Sequence, residues 1–198
     1  ASYLGKANNA PILLTENDNI YLTLEYIKKN LADNGKIYII GGQSVLSNKF
    51  EALLKDYDLT RLSGNTRYET NMEVLKAVEK PNELAICSGN AFPDSLSVSS
   101  TGKAIMLVDN MLLDYQKQFI KDITNKYIIG GTKVVSSAIE DAAKINSNCE
   151  RIYGGDRFET SYAVARRFFP NQTDNMVLAS GDDFPDGLCG GNFAHVAI

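Results

Sequence analysis

The residues in this chain with chemistry to offer are few, and most of them come in pairs. Arg61-Leu62-Ser63-Gly64-Asn65-Thr66-Arg67-Tyr68-Glu69-Thr70 returns 90 residues later as Arg151-Ile152-Tyr153-Gly154-Gly155-Asp156-Arg157-Phe158-Glu159-Thr160. Ser88-Gly89-Asn90-Ala91-Phe92-Pro93-Asp94-Ser95-Leu96 returns as Ser180-Gly181-Asp182-Asp183-Phe184-Pro185-Asp186-Gly187-Leu188. Two carboxylates held across a sugar could hydrolyse it, but the spacing points to a simpler use. Thr66 and Asp156 are placed as N-caps with Glu69 and Glu159 three residues on, and Asp94 and Asp186 follow a proline into a helix's first turn, where the dipole favours a carboxylate. The arginines do not fit this scheme. Arg67 and Arg157 also fall in a first turn, where a cation is disfavoured, so each needs a partner. That partner is either an acid such as Asp94 or Asp186 of the same copy, or an anionic ligand suited to a planar guanidinium. Arg61 and Arg151 pose the same choice.

The remaining reactive side chains do not recur. Cys87, Cys149 and Cys189 have Ala179, Leu59 and Ser97 at their counterpart positions, which argues against a disulfide framework or a shared metal site. Cys87 reads as a small buried hydrophobe, and the single histidine, His195, belongs to no repeated site. No H-E-x-x-H, G-x-S-x-G or C-x-x-C is present, so no catalytic residue, metal or cofactor is assigned. The chain has 198 residues, 44% of them hydrophobic, enough to bury sizeable cores. A net charge of −4 argues against a general nucleic-acid binder. No apolar run approaches the roughly 20 residues of a membrane helix, and the basic-then-apolar pattern of a signal peptide is absent.

The elements that must position these residues alternate. Leu84-Ala85-Ile86-Cys87 reads as a strand, and Pro93 starts a helix. Ala104 to Val108 reads as a strand, Leu112 to Ile123 as a helix, Tyr127 to Ile129 as a strand, and Ser136-Ser137 as a helix start. A further helix spans Thr66 to about Glu79. Short, almost wholly apolar strands between helices predict an α/β fold with parallel sheets covered on both faces. Ile39-Ile40-Gly41-Gly42 returns as Ile128-Ile129-Gly130-Gly131, placing glycines at strand ends where ligands of such sheets bind. Neither G-x-G-x-x-G nor a P-loop is present, and tight turns explain these glycines equally well. The repeat divides the chain into residues 1–60, the later part of one module; 61–150, a complete module; and 151–198, the opening of another. Residues 1–60 and 151–198 could pack together as a composite module, an arrangement that two far-apart segments sharing no sheet would reject.

The ordered combination R-[LI]-x-G-x-x-R-[YF]-E-T, S-G-x-x-F-P-D-x-L, a P-I-L-L-like strand and I-I-G-G resembles the type 2 cell-wall-binding repeat of clostridial and related Gram-positive surface proteins, over essentially the whole chain. The resemblance implies Toprim-like or flavodoxin-like α/β modules, usually three packed as a pseudo-threefold trimer. It also implies noncatalytic anchoring of S-layer and other surface proteins, outside the cell, to an anionic secondary cell-wall polysaccharide through several weak sites acting together. The implied partners are that polymer and neighbouring modules. Polymer-binding candidates are Arg61, Arg67, Arg151 and Arg157, with the anchoring-linked stretch Ile12-Leu13-Leu14 and its counterpart Ile105-Met106-Leu107. The intact Pro11-Ile12-Leu13-Leu14 becomes Ala104-Ile105-Met106-Leu107 in the complete copy, and an apolar tripeptide in a parallel strand is usually core. The alternative is a small-molecule or phosphate-ester enzyme on a doubly wound sheet, which would show a deep strand-end pocket with convergent polar groups.

Overall fold

The alternation resolves into two parallel sheets in a computed structural model, which describes residues 1–182 and Gly187. Phe184, Pro185, Asp186, Leu188, Cys189 and His195 lie outside the described residues. The first part comprises α1 (Ser2–Ala7), α2 (Ile20–Asn30), β1 (Lys36–Ile40), α3 (Lys49–Leu53) and β2 (Asp58–Leu62), with β1 and β2 paired in parallel. The second runs α4 (Arg67–Lys76), β3 (Glu83–Ser88), α5 (Phe92–Ser99), β4 (Ala104–Val108), α6 (Asp114–Ile120), β5 (Asn125–Ile129), α7 (Ser137–Ala143) and β6 (Asn148–Ile152), followed by α8 (Arg157–Phe168).

The four strands of the second sheet lie in the order β4-β3-β5-β6, all parallel. This is the opening of the flavodoxin-like order, in which the chain reverses direction between the first and third strands. The switch point therefore falls between the carboxyl ends of β3 and β5, at Ser88-Gly89 and Gly130-Gly131. Because side chains alternate across a strand, Leu84, Ile86, Met106 and Ile128 face one way, under α4, α6 and α7. Ala85, Cys87, Tyr127 and Ile129 face the other, under α5 and α8.

The first helix of each copy reaches back to the sheet before it. On α4, Met72 and Leu75 join the core of the second sheet. Val74 and Val78 pack instead with Leu62, Tyr38 and Ile40 of the first sheet and Leu4 of α1. Their counterparts on α8, Val164 and Phe168, pack against Tyr127, Ile129 and Ile152 of the second. Successive copies are thus joined by burial of a shared helix. Among the described residues, 1–60 and 151–182 share no sheet.

Three elements differ from the sequence reading. The helix predicted over Leu112 to Ile123 is shorter, because the Leu113 N–H donates to Gln116 Oε1 at 3.0 Å while the Gln116 amide donates to Leu107 O at 2.8 Å, fixing the helix start against β4. Ser136 precedes α7 without capping it; its hydroxyl donates to Asn110 O at 3.2 Å. Pro11 to Leu14 lies outside any strand.

Candidate functional site

The repeated motif is first a structural clasp. Thr66 Oγ1 accepts from the Glu69 N–H at 3.2 Å, and Asp156 Oδ1 accepts from the Glu159 N–H at 2.8 Å, closing the helix starts. Glu69 and Glu159 reach back to the N–H groups of Asn65 and Gly155, one residue before the cap, at 2.6 and 2.7 Å. The hydroxyls of Thr70 and Thr160 accept from the Gly64 and Gly154 N–H groups. Both glutamates act as caps.

Arg61 and Arg151 turn inward, with side chains only 15% and 9% exposed. Each pairs with the glutamate of the helix before it, Arg61 with Glu51 at 2.5 Å and Arg151 with Glu140 at 2.7 Å. Each also donates Nη1 to the carbonyl of the first strand-end glycine, Gly41 at 2.6 Å and Gly130 at 2.7 Å. The Arg61 hydrogen bond holds the Glu51 carboxyl below its ordinary pKa, and hydrogen bonds from Lys144 and then Arg151 do so for Glu140. These arginines are occupied as structural ties.

Arg67 and Arg157 are exposed. Each donates Nη1 to a backbone carbonyl of its own copy, Gly89 O just after β3 at 2.6 Å and Gly181 O at 2.7 Å. The next residue, Tyr68 or Phe158, lays its ring so close to that glycine that a Cβ on Gly89 or Gly181 would come within 2.5 or 2.7 Å of a ring carbon. For Arg67 the partner of the first-turn cation is therefore a backbone oxygen; Asp186, the same-copy acid for Arg157, lies outside the described residues. Asp94 instead feels Arg157 of the following copy, whose charge lowers its pKa against the larger upward push of burial; the net shift is upward.

At the switch point, Cys87 is fully buried, and burial, reinforced by the Asp94 charge, holds its thiol well above the ordinary pKa. It is no ready nucleophile at neutral pH. Asp94 is 7% exposed and packs against Gly130. Among the described residues there is no group of three or more potential metal ligands. Met106 is fully buried in β4, with Ile105 and Leu107 half-buried against the second face. Ile12 is half-buried, whereas Leu13 and Leu14 are 41% and 55% exposed.

A cleft of about 210 Å³ opens where α5 of one copy meets α8 of the next, lined among others by Phe92, Ser97, Ser100, Arg157, Ser161 and Gly181. The Arg157 guanidinium lies 5.8 Å from the centre of the Phe92 ring. A cation over an aromatic ring, flanked by hydroxyls, suits an anionic, hydroxyl-rich ligand. Sequence reasoning missed Phe92 and the serines, although Phe92 sits inside a repeated motif; only the α5–α8 packing brings it to Arg157.

The family described as Cell wall binding domain 2 (CWB2) matches this chain over residues 1–51, 61–140 and 151–197. The chain belongs to the CWB2 family. It is a cell-wall-binding protein of parallel sheets flanked by helices. It is 32% identical over 200 residues to the amidase enhancer of Bacillus subtilis (strain 168), covering 96% of this chain and 27% of that protein. It is 24% identical over 204 residues to the N-acetylmuramoyl-L-alanine amidase LytC of the same organism, covering 98% and 40%. Among solved structures, Cwp8 from Clostridium difficile superimposes with a TM-score of 0.85 at 27% identity, and Cwp6 with 0.87 at 26%. Each match covers 98% of this chain and about a third of the neighbour, 36% and 33%. This CWB2 chain thus spans well under half the length of the relatives it matches.

Proposed function

We propose that this chain anchors at the outer cell surface by holding an anionic secondary polysaccharide of the Gram-positive wall, without catalysis, at clefts formed where one copy meets the next. The observation that carries the reading is the repeated, exposed pair Arg67 and Arg157, each fixed by one Nη1 bond to a glycine carbonyl. Pre-ordering of this kind lowers the entropy lost when a polymer oxygen is bound. Weak sites repeated along one chain act together on a repeating polymer, so affinity exceeds that of any one site. The divisions 1–60, 61–150 and 151–198 are read as modules of this anchor, with neighbouring modules as further partners. Exposed Leu13 and Leu14 could touch the polymer directly, while Ile105, Met106 and Leu107 act on it through packing. A binding role rather than an enzymatic one is favoured because Cys87 and Asp94, the reactive groups nearest the switch point, are taken up in packing.

The test is co-sedimentation of the chain with isolated Gram-positive walls that retain or lack their secondary polymer. Binding should require the polymer, weaken steeply with salt, and fall in R67A and R157A. Binding equal on stripped walls, or unaffected by both substitutions, overturns the reading.

A further inference from the structure

We propose that a cluster at the far end of α8 is a latch that positions Arg157, and that Arg167 is its central positioning residue; the inference rests on the polymer-binding reading above. Arg167 Nε donates to both carboxylate oxygens of Glu150 on β6, each at 2.9 Å. Its guanidinium lies 5.5 Å from the ring centres of both Tyr127 and Phe168. Lys103 sits over the same two rings, at 5.5 and 4.9 Å. The rings meet edge to face, 4.9 Å apart at 81°. Glu83 completes the set, paired with Lys103 and accepting from the Tyr127 hydroxyl at 2.8 Å.

Four of these residues, Glu83, Lys103, Tyr127 and Glu150, belong to different strands or strand starts of the second sheet, and two belong to α8. The cluster therefore fastens the C-terminal end of α8 to the edge of the sheet opposite the switch point. Arg157 is the first residue of α8 and Arg167 its eleventh, so the two are separated by about 15 Å of rigid helix. A tilt of the helix at its latched end moves the guanidinium at the other relative to Phe92 and the serines of α5. The latch is particular to this junction. At the counterpart positions around α4 stand Ala77 for Arg167, Val78 for Phe168, Thr60 for Glu150 and Ala10 for Lys103, and only Tyr38 keeps the ring of Tyr127. Here the apolar contact of Val164 and Phe168 is joined by four cation–aromatic contacts and an ion pair in which one Arg167 N–H is shared by both Glu150 oxygens.

The experiment is co-sedimentation of the full chain with polymer-bearing isolated walls across a salt series, comparing wild type, R157A, R167A, R167K and the charge swap E150R/R167E, with far-UV circular dichroism confirming intact folding. R167A should bind about fivefold more weakly, the size expected from losing one partly exposed ion pair with its ring contact. Its salt slope should stay that of wild type, because no polymer contact has been removed. R157A should lose affinity and slope together, as removal of a phosphate-contacting cation does for other polyanions. R167K and the swap should recover most of the loss. If R157A weakens binding and R167A does not, or if R167A flattens the salt slope as R157A does, or if neither R167K nor the swap recovers binding, the latch is overturned. If R157A itself binds like wild type, the polymer reading fails instead. Should R167A lose helix, R167K and the swap decide by the same criteria.

Discussion

Asp94 of α5 rests its carboxylate against Gly130 at the end of β5, with Oδ2 only 2.4 Å from where a Cβ on Gly130 would stand. Gly130 also holds a φ of +109°, a conformation that side chains resist. The switch point is thus closed by a buried acid that only a glycine can accommodate. The same glycine's carbonyl receives Arg151 at 2.7 Å, so one residue joins the acid of α5 to the buried ion pair beneath β6.

Substituting Gly130→Ala should therefore destabilise the chain by about 1–3 kcal/mol, combining backbone strain with displacement of Asp94. Thermal unfolding of G130A, with a much smaller change in G131A, checks this; Gly131 has no atom closer than 3.7 Å to its would-be Cβ.

Removing Arg151 should cost more than removing Arg157. Arg151→Ala removes one of two basic partners of Glu140, Lys144 remaining, and the side-chain donor to the Gly130 carbonyl in a poorly exposed site, a loss of about 2 kcal/mol. Arg157→Ala removes one exposed hydrogen bond and should change stability by no more than about 1 kcal/mol. Denaturant midpoints of the two variants give the comparison. Equal loss in both would contradict the division into inward-tied and exposed arginines.

Two kinds of carboxylate should pull the acid stability of this protein in opposite directions. Glu51, Glu83 and Glu140 have folded pKa values below the ordinary 4.5, each held down chiefly by a side-chain hydrogen bond from a basic group, Arg61, Lys103 and Lys144 respectively. Their contribution is present above pH 4.5 and is lost as pH falls through the depressed folded values. Asp94 has the opposite sign: burial raises its folded pKa above 3.8, so its ionisation opposes folding as pH rises through that range. Asp94→Asn should raise the melting temperature at neutral pH, and the gain should vanish under acid conditions where Asp94 is already neutral. A constant difference at all pH values would refute this assignment.

Lys126 offers a test of buried charge. It is 1% exposed in β5, with its ammonium donating to Ala143 O at 3.1 Å and Ser147 Oγ at 2.6 Å. Burial pulls its pKa below the ordinary lysine value. Its counterpart in the first sheet is Ile37, and the Ser147 hydroxyl already serves Ala143 O at 2.7 Å. Lys126→Met should leave stability unchanged or raise it, since an apolar side chain of similar length escapes the desolvation cost. A melting temperature lowered by several degrees would show that the ammonium contacts outweigh that cost.

Strands β3, β4 and β5 were legible because each holds a short apolar run, a pattern that buried parallel strands impose; β2 and β6, in which charged residues including Arg61 and Arg151 interrupt the run, were not. Pro93 marked the start of α5 for the same local reason, and Thr66 and Asp156 marked α4 and α8. Helix lengths were less legible: α6 starts only at Asp114 because Gln116 accepts from the Leu113 N–H and reaches a carbonyl of β4, a contact between elements that no window of sequence contains.

What the sequence determined by itself is the repeat, the alternation of strand and helix, and the caps, because these follow from interactions within a few residues and from burial on both faces of a sheet. The copies also singled out four arginines, but not their surroundings. Tertiary structure separated them. Arg61 and Arg151 lie in strands beside a glutamate of the preceding helix and are drawn inward, while Arg67 and Arg157 begin helices and are held at the surface by glycine carbonyls. Which copy completes the surroundings of Arg157 was likewise settled only by packing, since Phe92 and Asp94 come from α5, more than sixty positions earlier in the chain.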